Sequence, residues 1–231
     1  MRESKPTIYD PNFLPNMIYS GVPSWLNLSV IENDDDLKKI DAAVVGVPWE
    51  GGCTIGGYSS TTEGPKAVRS ASIRYTGFLP DYNLDCFDYL NVADSGDIAT
   101  QNGNYDFTFK SIRERIGKLA DAKIIPITIG GDHGIAYPII SEIAKRYPKK
   151  VGVLHFDAHL DNYSHFGDDE LSRCSPFYRV YNDPNMDPTK IAHIGIRGPR
   201  NHREEYNNAV KYGATVIRAI DVHEDGWNCL L

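Results

Sequence analysis

The chain lacks any apolar run of the roughly 20 residues that a membrane-spanning helix requires, so no such helix is expected. It also lacks the basic start and apolar core of a secretory leader. Arg2, Glu3, Lys5 and Pro6 precede any apolar stretch, and a cytoplasmic location is expected. Cysteine is sparse. The four residues, at positions 53, 86, 174 and 229, have neither C-x-x-C nor zinc-ribbon spacing. Free thiols in a reducing compartment are expected, not a disulfide framework. There is no excess of positive charge. A net charge of −7 argues against non-specific nucleic-acid binding, so neither nucleic acid nor membrane is expected as a partner. The glycine-rich stretch 51–57 is expected to be a flexible loop. It is not a phosphate loop, because G-x-x-x-x-G-K-[ST] is absent.

What is present suits a folded domain. The 231 residues are 41% hydrophobic, ordinary for a globular α/β protein. Residues 1–30, with their Pro, Asn and Ser, read as an irregular arm packed on the domain. Apolar runs predict strands at 42–47, 89–93, 124–129, 151–156, 191–196 and 215–220. Helices are expected at 64–74, with Pro65 in the first turn, and at 105–121, 135–146 and 202–211. Strands alternating with helices imply a mostly parallel sheet covered on both faces. No domain boundary is evident, so 1–231 reads as a single domain.

Ligands of such sheets bind beyond the carboxyl ends of the strands. The most informative motif lies there: Asp157-Ala158-His159-Leu160-Asp161, straight after the apolar run 151–156. Alternate side chains of a strand point to one side, so Asp157, His159 and Asp161 would converge if extended geometry persisted. Two carboxylates and an imidazole suit a divalent ion such as Mn²⁺. Gly130-Gly131-Asp132-His133-Gly134 follows another strand and opens a helix, which places His133 toward the same crevice.

GGDHG at 130–134 followed by FDAHLD at 156–161 resembles the ureohydrolase family of arginase, agmatinase and related guanidino-compound hydrolases. Ser20–Pro23, Gly46–Gly52 and Gly64–Arg69 extend the similarity along nearly the whole chain, and its detail favours the agmatinase-like branch. The resemblance implies a three-layer α/β/α fold and two Mn²⁺ ions sharing a bridging hydroxide. It places His133, Asp157 and Asp161 on one ion, and Asp157 and His159 on the other, with Asp157 bridging. It further implies hydrolysis of a linear C–N bond in a guanidino compound, releasing urea and an amine, in a homotrimer or homohexamer. Paired cations acidify a bound water, which suits attack on a guanidinium carbon.

Two departures from the family pattern qualify this. Agmatinases usually carry His-Gly-Thr-x-Phe after the metal strand, whereas this chain has Arg173-Cys174-Ser175-Pro176-Phe177. Arg173 cannot shuttle protons near neutral pH, but it can pair with a carboxylate of the substrate or of the protein. His165 could substitute as proton shuttle; its alternative is a solvated loop histidine. Cys174 reads as a packed thiol, having no evident base beside it. The second departure is the absence of the family's S-x-D-x-D-x-x-D-P motif, whose first two Asp residues complete both metal shells. The chain is therefore expected to be incomplete at its C-terminus, with the last strands missing, one ion or none held tightly, and poor turnover.

Other residues on the ligand side have two readings. Glu50 could attract a cationic substrate tail or be a salt-bridged loop carboxylate. Asp97 reads as a turn cap, His193 as a core histidine, and His223 and Glu224 as a helix start. Two rival functions remain open: a catalytically impaired homologue or interaction subunit, and a hydrolase of guanidinobutyrate, guanidinopropionate or guanidine.

Overall fold

The run Ala42–Val47 forms strand β1, with all six residues buried. A strand enclosed on both faces carries no polar alternation, which is why it reads as continuous Ala and Val. The structure, a computed structural model, describes residues 5–12, 19–31, 33, 35–51 and 60–226. Most of the expected glycine-rich loop (52–57), part of the N-terminal arm and residues 227–231 lie outside the described residues. The chain divides into two compact units. One is Met1–Glu50 with Gly57–Asp132; the other is Gly51–Gly56 with His133–Leu231.

In the first unit, helix α1 (Gly64–Ser72) follows, with Pro65 in its first turn where a missing N–H costs nothing. A short hairpin pairs β2 (Phe78–Leu79) with β3 (Leu84–Asp85). Strand β4 is Val92–Asp97, displaced from the expected 89–93. The displacement has a physical cause: Tyr89 and Leu90 are exposed, whereas Val92 and Ala93 are buried against the core. Helix α2 (Tyr105–Asp121) has the expected bounds. The Asn104 side chain caps it by accepting the Phe107 N–H at 3.0 Å, and Ile112, Ile116 and Leu119 are fully buried at helical spacing. Strand β5 is Ile125–Gly130. The three longer strands make a parallel sheet in the order β4-β1-β5. A Cβ at Gly46 would overlap an Asp97 carboxylate oxygen, so a larger residue there would displace that side chain from Arg69.

In the second unit, a single 3₁₀ turn (His133–Ile135) leads into α3 (Ala136–Arg146). Strand β6 is Val153–Phe156, shorter than expected. Helix α4 (Pro176–Tyr181) was not foreseen. Strand β7 (Ile191–Ile196) has the expected bounds, and α5 is Arg203–Tyr212. Strand β8 is Thr215–Arg218, where a strand to 220 is expected. It stops early because Asp221 accepts the Arg218 N–H at 2.8 Å and caps helix α6 (Ala219–Asp225). His223 and Glu224 fall in α6, in keeping with a structural role. The sheet is parallel with the order β6-β7-β8, and β7 at its centre is flanked by Leu160, Phe177, Val180 and Met186 in a single core. The mostly parallel α/β architecture expected from sequence is present, with the longer strands hydrogen-bonded as two three-stranded parallel sheets, one in each unit. On the edge strand β6, Leu154 and Phe156 are exposed. No described helix is long and apolar enough to cross a membrane.

Candidate metal centre

All four expected ligands, His133, Asp157, His159 and Asp161, belong to the second unit. The Asp157 N–H still donates to the Ile194 carbonyl of β7 at 3.1 Å, but extended geometry ends there. The Asp157 carboxylate accepts the His159 N–H at 2.9 Å, which folds the chain into a turn. Asn201 fastens that turn from across the sheet end. Its amide donates to the Ala158 carbonyl at 2.8 Å and accepts the Leu160 N–H at 3.1 Å. Leu160, fully buried, anchors it in the core. Asp161 then takes a positive φ of 45°, and its carbonyl accepts the Phe177 N–H of α4 at 3.1 Å.

The result brings the ligand candidates together by a turn, not by strand alternation. His133 Nδ1 lies 2.7 Å from Asp161 Oδ2. His159 Nδ1 lies 3.5 Å from Asp157 Oδ1. A residue that the sequence reasoning passed over joins the two pairs: His155. Its ring stacks on His133 with centroids 5.3 Å apart, and its Nε2 is 3.4 Å from Asp157 Oδ2. Ligating atoms of His133, His155 and Asp157 all lie within 4.8 Å of one another. The signal was available, since a residue two before Asp157 shares its face of the strand.

Behind the site, His155 Nδ1 lies 2.8 Å from His193 Nδ1 in the neighbouring strand, and His193 Nε2 lies 2.6 Å from the Tyr181 hydroxyl. His193 is fully buried, the core position expected for it. Burial, reinforced by the neighbouring imidazoles, lowers His155 to about 4 and His193 to about 3, so both rings are neutral at pH 7. Partial burial works to raise the Asp157 carboxyl, but the His159 N–H and the nearby His155 and His133 outweigh it. The net shift is downward, and Asp157 is ionised.

The other candidates are placed as follows. His165 is exposed and lies 2.9 Å from the Ser164 hydroxyl. Arg173 is half-buried and has no ion-pair partner among the described residues. Cys174, half-buried and not in a disulfide, lines a small cleft of about 190 Å³ together with His159, Asp161, Tyr163, Arg200 and His202. Glu50 is buried in the other unit, where its N–H donates to the Asn102 side chain at 3.1 Å. Asp97 is an ion-pair partner of Arg69 at 2.5 Å, not merely a turn cap.

Two imidazoles and two carboxylates form a donor set suited to divalent ions of intermediate hardness. Among the described residues, the carboxylates of Asp157 and Asp161 pair only with histidines; no Lys or Arg neutralises them. At the end of a parallel sheet in an α/β protein, His133, His155 and Asp157 thus form a group with the spacing to hold a metal ion. The chain matches the arginase family over residues 40–231 and belongs to it. It is similar to a guanidinobutyrase of Pseudomonas aeruginosa, 30% identical over 91% of this chain and 64% of that protein. An agmatinase of Chromobacterium violaceum is 31% identical over 90% of this chain and 61% of its own length. The chain therefore spans about three fifths of these relatives. The structure of a proclavaminate amidino hydrolase from Streptomyces clavuligerus superposes with a TM-score of 0.80 at 26% identity, covering 92% of this chain and 70% of that one.

Proposed function

We propose that the chain carries the metal-binding part of a Mn²⁺-dependent hydrolase that cleaves a guanidino C–N bond and releases urea and an amine. The observation that carries this reading is the pairing of His133 with Asp161 at 2.7 Å and His159 with Asp157 at 3.5 Å, with no Lys or Arg ion-paired to either carboxylate among the described residues. Membership of the arginase family and similarity to guanidino-compound hydrolases support it. The family match runs across both units, which supports reading them as parts of one domain.

His133, Asp157, His159 and Asp161 would hold the ions, with Asp157 shared between them. Bound there, divalent ions supply Lewis acidity and a water acidic enough to ionise near neutral pH. The protein's own contribution is placement: the 157–161 turn, fastened by Asn201 and Leu160, fixes both carboxylates before an ion arrives. The cleft lined by His159, Asp161 and Arg200 leaves room beside them for a small substrate. Agmatine is the first substrate of this reading. A specific observation favours a second: Arg173 has no carboxylate partner among the described residues, and Arg200 lines the cleft, which together suit a guanidino acid such as guanidinobutyrate.

The test is Mn²⁺ titration of the metal-free protein, followed by paramagnetic resonance of free Mn²⁺. His133→Ala and Asp161→Asn should each weaken binding by about 100-fold or more, since even outer-shell changes cost 10–100-fold. Unchanged affinity in both variants would sink the assignment. Urea release from agmatine, guanidinobutyrate, guanidinopropionate and guanidine then names the substrate.

A further inference from the structure

Four buried polar side chains run in single file from α5 to the metal centre. Asn162, fully buried, directs its amide nitrogen to the Glu205 carbonyl at 2.9 Å and to the Tyr181 hydroxyl at 3.3 Å. Tyr181 meets His193 at 2.6 Å, His193 meets His155 at 2.8 Å, and His155 faces Asp157 at 3.4 Å. Histidines 155 and 193 sit opposite each other in the β6–β7 register, so strand pairing itself brings the rings together.

The hydrogen bonds favour one order of protons along this file, starting from the Asn162 end. A backbone carbonyl can only accept, so the atom of Asn162 that faces the Glu205 carbonyl is the nitrogen. The reversed amide would set two oxygens 2.9 Å apart. The Tyr181 oxygen accepts from Asn162, and its own buried hydrogen is satisfied by His193 Nε2, whereas a protonated Nε2 would leave that hydrogen without an acceptor among the described contacts. His193, accepting at Nε2, carries its proton on Nδ1 and donates it to His155 Nδ1. The proton of His155 is then on Nε2, facing the Asp157 carboxylate. The opposite tautomer would point a bare ring nitrogen at an anion. Which ring nitrogen is free is set by the hydrogen bond that the other one makes.

We propose that Tyr181 and His193 are positioning residues: they hold His155 as the Nε2–H tautomer, whose proton faces the Asp157 carboxylate 3.4 Å away without a formed hydrogen bond, so that His155 is not a fifth ion ligand. His155 is near enough to His133 and Asp157 to join an ion, but its facing nitrogen carries a proton. The inference rests on the reading above only in that Asp157 is an ion ligand. The file decides which ring nitrogen His155 turns toward the shared carboxylate, a task that in metal sites falls to groups behind the ligands.

The tautomers are read directly by ¹⁵N-resolved histidine spectra of the metal-free protein. The expected result is a proton on Nε2 of His155 and on Nδ1 of His193, with mixed tautomers in Tyr181→Phe, which keeps the ring but removes the donor. A proton on Nδ1 of His155, or tautomers unmoved by Tyr181→Phe, overturns the proposal. Mn²⁺ affinity gives the second readout. Tyr181→Phe and His193→Leu should weaken it about 10-fold. His193→Asn, whose amide nitrogen stands in for Nδ1, should restore most of the loss. Equal affinity in all three variants also overturns the positioning role. If the unsubstituted protein binds no Mn²⁺, the functional reading fails, and the histidine spectra still decide the proton file.

Discussion

Each unit sets a pair of aspartates within or just beyond a parallel strand, and the two pairs are treated in opposite ways. In the first unit, Asp94 and Asp97 on β4 meet Arg69 of α1. Its Nε and Nη2 grip Asp94 at 2.7 and 2.9 Å, Nη1 reaches Asp97 at 2.5 Å, and Nη2 also donates to the Gly96 carbonyl at 3.1 Å. The hydrogen bond to Asp94 holds the Arg69 guanidinium above its ordinary pKa despite burial. In the second unit, the ion-pair partners of Asp157 and Asp161 among the described residues are imidazoles. The lesson is that carboxylates collect within or just beyond a strand in both places, and the cation decides their use. A cation built into the chain makes a structural lock, whereas histidines leave the charge available to an ion from solution.

Replacing the lock should cost the most. Arg69→Leu leaves Asp94, 1% exposed, without its cation, and should destabilise the fold by about 3–5 kcal/mol in urea denaturation. A loss under about 1 kcal/mol would mean that the two aspartate pairs are not so different after all.

Acid should separate the units next. The folded pKa of His193 is lowered to about 3 by burial, below its unfolded value near 6.5. Above pH 6.5 the ring is neutral in both states and stability is complete. Between pH 6.5 and about 3 the unfolded state takes up a proton that the folded state refuses. Stability then falls by up to about 1.4 kcal/mol per pH unit from this group. Denaturation midpoints across pH 4–7, with His193→Asn as control, measure it. Identical slopes in the two proteins would refute the assignment.

The smallest effect should come from the fastening of the 157–161 turn. Asn201→Ala removes two hydrogen bonds to its backbone and should cost about 1–2 kcal/mol, seen as a lowered thermal midpoint. A neutral result would show that Leu160 alone holds the turn.

Much of this was legible in the sequence because it follows from burial. The bounds of α2 and β7 coincide with expectation because their apolar residues face a core at the period of the element. The four ligand candidates were legible as residues but not as geometry. Strand alternation places Asp157 and Asp161 together, whereas the structure achieves it with a turn that Asp157 itself caps. His155 was hidden inside an apolar run, where a histidine reads as core, although its spacing from Asp157 marks the shared face. The ends of β4 and β8 were misplaced because hydrophobicity does not distinguish exposed Tyr89 and Leu90, or helical Ile220, from strand residues. The Arg69 lock was invisible, since it joins a helix to a strand about 25 residues away through side-chain geometry alone.

The positive φ of Asp161 has a consequence for how such a chain can change. A side chain in the left-handed region works against the backbone, and glycine is the residue that removes the conflict. The substitution that best relaxes this turn is therefore one that deletes a candidate ligand. Selection for robustness alone would pull position 161 toward glycine, whereas the pairing with His133 and the proposed ion would hold aspartate there. In a screen scored once for folding and once for ion uptake, position 161 should move in opposite directions.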